Sequence, residues 1–379
     1  MDGSLFRASD AGRVIRVRSG YDAFVPAALP PTLSWETRVV RAVEEAAEAV
    51  GEFGAAYTDE VNARFGDLLL LRAGANAAAL EGQRIRMQEA FMYGTSSEWH
   101  SRGAILAHNF AAAHRHVAAR LHEMPLSLRL IREAHLLLSK GLEHRGTYPG
   151  EFRRSQNWIG PEGCGLARAT LVPPPVEEMK TALHNWEKYI HATDPLPNLV
   201  RATLVHYQFA IIRPFLEYND SALLVIMPFI LQQMGASRNQ ATHVGLFIAR
   251  QPYEWHYRML DVCQHGAWNE WLAYYLFGVA GTIRELSATI GRLQGVYDQH
   301  VRRASDGGLT SPAFLELLYR RPAITAELAG AMTGEPATTA EQELEALTRI
   351  AVVSRQEWRD GLVYVAQEIV EALEPATIL

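Results

Sequence analysis

One stretch constrains the fold more than any other: residues 206–224, HYQFAIIRPFLEYNDSALL, followed by an apolar run to residue 231. Pro214 has no backbone N–H and disfavours helical geometry in the residue before it. A helix carrying His206, Phe209 and Ala210 must therefore stop near Arg213, and that residue is pushed towards an extended conformation. Phe215 can anchor the next turn in a core. Glu217, Tyr218, Asn219, Asp220 and Ser221 then form a polar loop that runs into a second apolar helix. A polar loop opening a buried helix favours anions, because free N–H groups and the helix dipole both present positive charge there.

The rest of the chain reads as support for that pair. With 379 residues, 48% of them hydrophobic, it can bury a large core and divide into two or three units. A formal charge of -6 gives no global attraction to nucleic acid or to an anionic membrane. The start of the chain lacks the apolar segment of a signal peptide, and no long apolar run follows, so a cytoplasmic protein is expected. Cys164 and Cys263 are too few and too far apart for a metal cluster.

Taken in order, residues 1–31 read as an irregular arm ending in the Pro-rich segment 24–31. Ser34 is a plausible cap for a helix with Trp35, Val39, Val40, Val43 and Ala46 on one face. Helical periodicity continues over 60–75, 103–144 (with a separate helix at 126–139), 175–191, 198–212, 243–248, 253–263 and 282–301. The aromatic stripe of Trp268, Trp271, Tyr275 and Phe277 is read as core. The Gly- and Pro-rich segment 146–175 contains two short apolar runs and predicts a β-hairpin. SDGGLTSP at 305–312 is the best boundary; beyond it three helices, two short strands near Val352 and Val363 and a last helix are expected. The expected segments are 1–100, 101–304 and 305–379.

The loop at 206–224 resembles the signature of the Fic family, in which His-Pro-Phe, a variable residue and an acid precede Gly-Asn-Gly-Arg, with a second Arg three positions later. His206, Gln208, Phe209, Pro214, Phe215, Glu217 and Asn219 match that pattern. Arg213 stands in place of the catalytic His, Tyr218 and Asp220 replace the two Gly, and Ser221 and Leu224 replace the two Arg. GEFRRSQNWIG at 150–160 resembles the Fic flap, with Gln156, Asn157, Trp158, Ile159 and Gly160. Glu81 and Gly82, with Ala77 where a Ser is usual, resemble the inhibitory helix. The end of the chain resembles the winged helix of bacterial relatives. The resemblance implies a mainly α fold: a Fic core with a β-hairpin flap, an N-terminal helical domain and a C-terminal winged-helix-like module.

It also implies AMP transfer from ATP to a protein hydroxyl, with the His as base, the acid on magnesium and the loop around the phosphates. Arginine stays protonated at usable pH, so Arg213 cannot be that base. Tyr218 and Asp220 put bulk and negative charge where backbone should approach phosphate. ATP and magnesium are therefore not expected to bind in the standard Fic manner; Glu217 alone is left as a metal ligand, and no cofactor is assigned.

The leading expectation is a diverged enzyme. Arg213 would clamp an anion and Glu217 or Asp220 would act as acid or base beside Tyr218. Asn219, Ser221 and His206 are assigned to substrate or anion binding; for His206, about 10 Å from Arg213 along the helix, packing is the competing role. Arg213 could instead close the loop by pairing with Glu217 or Glu81. A non-catalytic binding or regulatory protein is the alternative, and residual AMP transfer comes last. The expected partner is a small molecule or a peptide segment at the flap, with a homodimer as a further option. DNA binding is not expected, because Glu341, Glu343 and Glu345 crowd the would-be recognition helix.

Overall fold

The computed structural model describes residues 1–95, 101–142, 148–161, 163–307, 312–358 and 361–374. It is mainly α-helical. Its contacts divide it into two units, each made of two stretches: Met1–Gly54 with Ala112–Ile283, and Ala55–Ala111 with Arg284–Leu379. Part of the boundary expected at 305–312, residues 308–311, lies outside the described residues, as do residues 146, 147 and 162 of the expected flap hairpin. Among the described residues, no helix is long and apolar enough to cross a membrane.

The first unit opens with a feature that the sequence reading did not anticipate. In place of an irregular arm there is a hairpin, β1 (Gly12–Arg16) against β2 (Asp22–Pro26), antiparallel with Gly12 opposite Pro26 and Arg16 opposite Asp22. Its turn is closed by the Val17 N–H donating to the Tyr21 carbonyl at 2.8 Å, with Gly20 at φ +90°. Ala23 and Phe24 are fully buried, and that burial, rather than turn chemistry, fixes the register.

α1 (Thr37–Ala56) starts two residues later than the Ser34 cap predicts. The Ser34 hydroxyl accepts from the Asn269 amide instead, and Trp35 and Val40 are exposed while Val39, Ala42 and Ala46 face inward. α2 (Asp59–Leu80) and α3 (Met87–Met92) belong to the second unit, and the division falls inside α4 (Arg102–Arg120). α5 (Leu128–Leu138) is capped by Ser127 and presents Leu130, Ile131, Ala134, His135 and Leu138 inward.

α6 (Val176–His191), α7 (Asn198–Ile212) and α8 (Asn219–Gln233) complete the centre. All of α7 after Asn198 is buried, and so is α8 through Leu231. Helices apolar on every side belong in the middle of a bundle. α7 and α8 pack on each other, with α6 and α5 against them. Each fully buried Leu, Ile, Val or Phe side chain contributes roughly 1.5–3 kcal/mol, so this pair is the rigid base on which the loop between them is mounted. α9 (Gly245–Arg250), α10 (Pro252–His265) and the first part of α11 (Trp268–Asp306) follow. Trp268, Trp271 and Tyr275 lie in the core as expected.

The second unit contains α2, α3, the start of α4 and the end of α11. Arg72 on α2 is buried and donates to Thr289 and Glu285 on α11. After these come α12 (Pro312–Leu318), β3 (Ala323–Ile324), α13 (Ala326–Thr333), α14 (Ala337–Arg349), β4 (Ser354–Trp358), β5 (Gly361–Val365) and α15 (Gln367–Leu373). The three strands form an antiparallel sheet in the order β3-β5-β4. In this unit α3 and β3 are missing from the sequence reading; the two residues of β3 are too short to show a period.

Candidate functional site

The loop between α7 and α8 takes a course that the proline rule does not give. Arg213 is left-handed, at φ 44° and ψ 67°, and closes α7 with its N–H on the Phe209 carbonyl. The expected extended backbone would carry the chain away from the helix. The left-handed turn folds it back, so that Phe215 is fully buried and within reach of Asn219. Tyr218, at φ 54°, makes a second such turn just before α8. For residues with a Cβ each left-handed position costs about 1–2 kcal/mol, so something must hold both. Asn219 does: its amide oxygen accepts the Phe215 N–H and its amide nitrogen donates to the Phe215 carbonyl, both at 2.9 Å. The Asn219 side chain is thus taken up by the loop itself.

The charged groups are also joined to each other. Arg213 Nη1 lies 3.4 Å from both carboxylate oxygens of Asp220, with the two side chains 16% and 9% exposed. Asp220 is the second residue of α8, so its carboxylate sits at the positive end of that helix. The partner of Arg213 is therefore Asp220 rather than Glu217. Glu81 caps the C-terminus of α2 in the second unit. Glu217 lines a small pocket with Ser139, Tyr148, Glu151 and Leu216. Tyr218 is nearly buried and donates its hydroxyl to the Leu142 carbonyl. Ser221 is wholly buried, and Leu224 packs on Gly245, where an added Cβ would stand 2.8 Å from Leu224 Cδ1.

His206 is not at the loop. It lies in the aromatic core beside Trp255, Trp271 and Tyr275, with Nδ1 hydrogen-bonded to the Tyr275 hydroxyl at 2.9 Å. Burial pulls its pKa down to about 3, so it is a neutral core side chain.

Two residues that organise the site were not singled out from the sequence. His135 stacks on Phe215, with ring centroids 3.7 Å apart and planes 6° from parallel. It accepts the Gly150 N–H at Nδ1 and donates from Nε2 to the Glu217 carbonyl. Its place on the inward stripe of α5, between Ile131 and Leu138, was the available signal. Arg153 is 1% exposed, and its guanidinium donates to the carbonyls of Arg213, Ile212, Ser155 and Pro174. Burial lowers its pKa to about 10, so it remains cationic at neutral pH. Nothing in the sequence distinguishes it from exposed Arg154 next to it.

The flap is less regular than a hairpin. Among the described residues the only backbone bridge between its two limbs is that of Ile159 and Leu171, with Arg153 and Gln156 adding side-chain bonds to the Pro174 and Pro173 carbonyls, and a short 3-10 turn, Leu166–Arg168, lies between them. Gly160 is sterically required: a Cβ there would come within 2.6 Å of Cys164 Sγ. Asn157 donates to the Arg213 and Phe215 carbonyls, and Gln156 to those of Asn157 and Pro173. The Trp158 indole donates to the Cys164 carbonyl while the ring stays 41% exposed. Flap and signature loop are thus joined through Arg153 and Asn157.

Residues 125–231, which contain α5, the flap, α7, the loop and most of α8, match the Fic/DOC family model. The chain carries a Fic domain. A Fic family protein of known structure from Desulfovibrio desulfuricans G20 superposes over 89% of this chain and 98% of its own, with a TM-score of 0.56 at 15% identity. A Fic domain containing signaling protein from Bacteroides thetaiotaomicron VPI-5482 covers 67% of this chain and 96% of its own, at 15% identity and a TM-score of 0.49. The first of these shows a shared fold extending beyond the matched Fic segment.

Proposed function

We propose that this Fic domain is a binding module that takes an extended peptide at the flap and does not transfer nucleotides. The observation that carries this reading is the Arg213–Asp220 pair at the start of α8. The helix end that would face a phosphate already faces a carboxylate of the chain itself. The position of the general base holds a side chain that keeps its proton. The flap supports the peptide half: Ile159 turns its N–H and carbonyl to Leu171, and along extended backbone the residues on either side point the opposite way. α14 is assigned to packing or self-association, since its acidic residues repel phosphate.

Calorimetry with ATP and magnesium tests the loop. No heat at millimolar nucleotide is expected, and micromolar binding would overturn the reading. Panning a random-peptide library against wild type and Ile159→Pro tests the flap, since enriched peptides must lose the variant.

A diverged enzyme is the second reading, favoured by Glu217, which lines a small pocket with Ser139, Tyr148 and Glu151. Turnover of a small substrate that is lost in Glu217→Gln and kept in Arg213→Ala would move the assignment there.

A further inference from the structure

The N-terminal hairpin reaches both limbs of the flap. The Phe24 N–H donates to the Val172 carbonyl at 2.9 Å, and the Tyr21 hydroxyl to Gln156 Oε1 at 3.2 Å. Leu171 directs its N–H to Ile159, while Val172, the next residue, offers its carbonyl to Phe24. Consecutive residues of an extended chain face opposite edges, so the order across this ribbon is β1, β2, residues 170–172, then Ile159. The hairpin is itself tied down. Arg7 N–H donates to the Gln264 carbonyl, Trp268 Nε1 to Asp10, and Gln208 Nε2 to the Ala27 carbonyl. β2 also packs on α6 and α7.

The two limbs of the flap therefore hang from different supports. The first limb, through Arg153 and Asn157, is held by the signature loop. The return limb is held by β2 at Val172, by Met1, which meets the Leu166 carbonyl and the Val172 N–H, and near its end by Arg153 and Gln156, which donate to the Pro174 and Pro173 carbonyls. A two-stranded ribbon is at best marginally stable alone, and a single bridge is weaker still. We propose that the β1–β2 hairpin is a strap that sets the position of the flap, and that the return limb opens when the strap lets go, with the first limb still fastened to the loop. The inference is independent of whether the flap takes a peptide.

Gly12→Val is the variant of choice. Gly12 has φ +152°, and a Cβ there would come within 2.3 Å of the Val25 carbonyl, so the substitution strikes the strap without touching the flap. Amide hydrogen exchange of the full chain supplies the readout. Thr170 and Leu171 should exchange about tenfold faster or more, while the Arg153 N–H, bonded to the Pro214 carbonyl, and the amides of α7 keep their rates. Hairpin amides that lose protection while Thr170 and Leu171 keep theirs would overturn the proposal. Should Gly12→Val fail to fold, Phe24→Ala removes the buried anchor of β2 and leaves every residue of the flap unchanged. A rise of about threefold at the same two amides is then expected, and unchanged rates refute the strap.

Discussion

Acid should loosen the signature loop through His135. Because Nδ1 accepts the Gly150 N–H at 3.0 Å, the ring proton lies on Nε2, where it meets the Glu217 carbonyl at 3.1 Å. A second proton would set donor against donor at Gly150, and the stack on Phe215 leaves the ring no room to turn. Burial accordingly lowers the pKa from 6.5 to about 4, partly offset by the bond to Glu217. In the unfolded chain the same ring takes up its proton near pH 6.5. Between those values the unfolded state binds more protons, so stability falls as pH falls; the loss is absent above pH 6.5 and complete below about pH 4. The gap corresponds to about 3 kcal/mol. His114, also lowered to about 4 by burial, and His206 act in the same direction. Together the three losses approach the total stability of an ordinary domain, about 5–15 kcal/mol. Urea unfolding of wild type and His135→Phe at pH 7, 5.5 and 4.5 isolates the first term. The variant should be less stable at pH 7 by about 2–4 kcal/mol, since two backbone groups lose their partner, yet its stability should fall less on acidification, the difference growing to about 3 kcal/mol by pH 4. Parallel pH profiles would refute the tautomer argument.

Arg213→Ala leaves a nearly buried carboxylate, relieved in part by the α8 dipole, and should cost about 2–3 kcal/mol; Asp220→Ala should cost less, about 1–2, because Arg213 can reach water. The double variant should reveal a coupling of about 1–3 kcal/mol in denaturant midpoints, and additive single effects would reject the pair. Arg153→Lys keeps the charge but loses the planar fork that serves four carbonyls. A loss of about 2–4 kcal/mol is expected, with faster proteolysis within the flap, and an unchanged melting temperature would show that the contacts carry no weight.

The helices were legible because their signal is local. α6 and α7 end where periodicity and Pro214 place them, and the loop residues were identifiable as a group. What escaped depends on packing at a distance. The hairpin at the start of the chain is made by burying Ala23 and Phe24 against helices some 150 residues away in sequence, and no local pattern marks it. Arg213 was expected to be extended by its own proline, but the pull of buried Phe215 and the double bond from Asn219 override that preference. The pairing partner was missed: the sequence offered Glu217 or Glu81 for Arg213, and the course of the backbone brings up Asp220 instead.

The two left-handed residues have a further consequence. Arg213 and Tyr218 bracket the loop at dihedral angles that glycine adopts freely, so the route of the chain does not require the side chains at those two positions. Phe215, Asn219, His135 and Arg153 hold that route from behind. An engineer wishing to reopen the space in front of α8 could exchange the groups at 213, 218 and 220 and leave the scaffold alone, much as a lock is rekeyed without replacing the door.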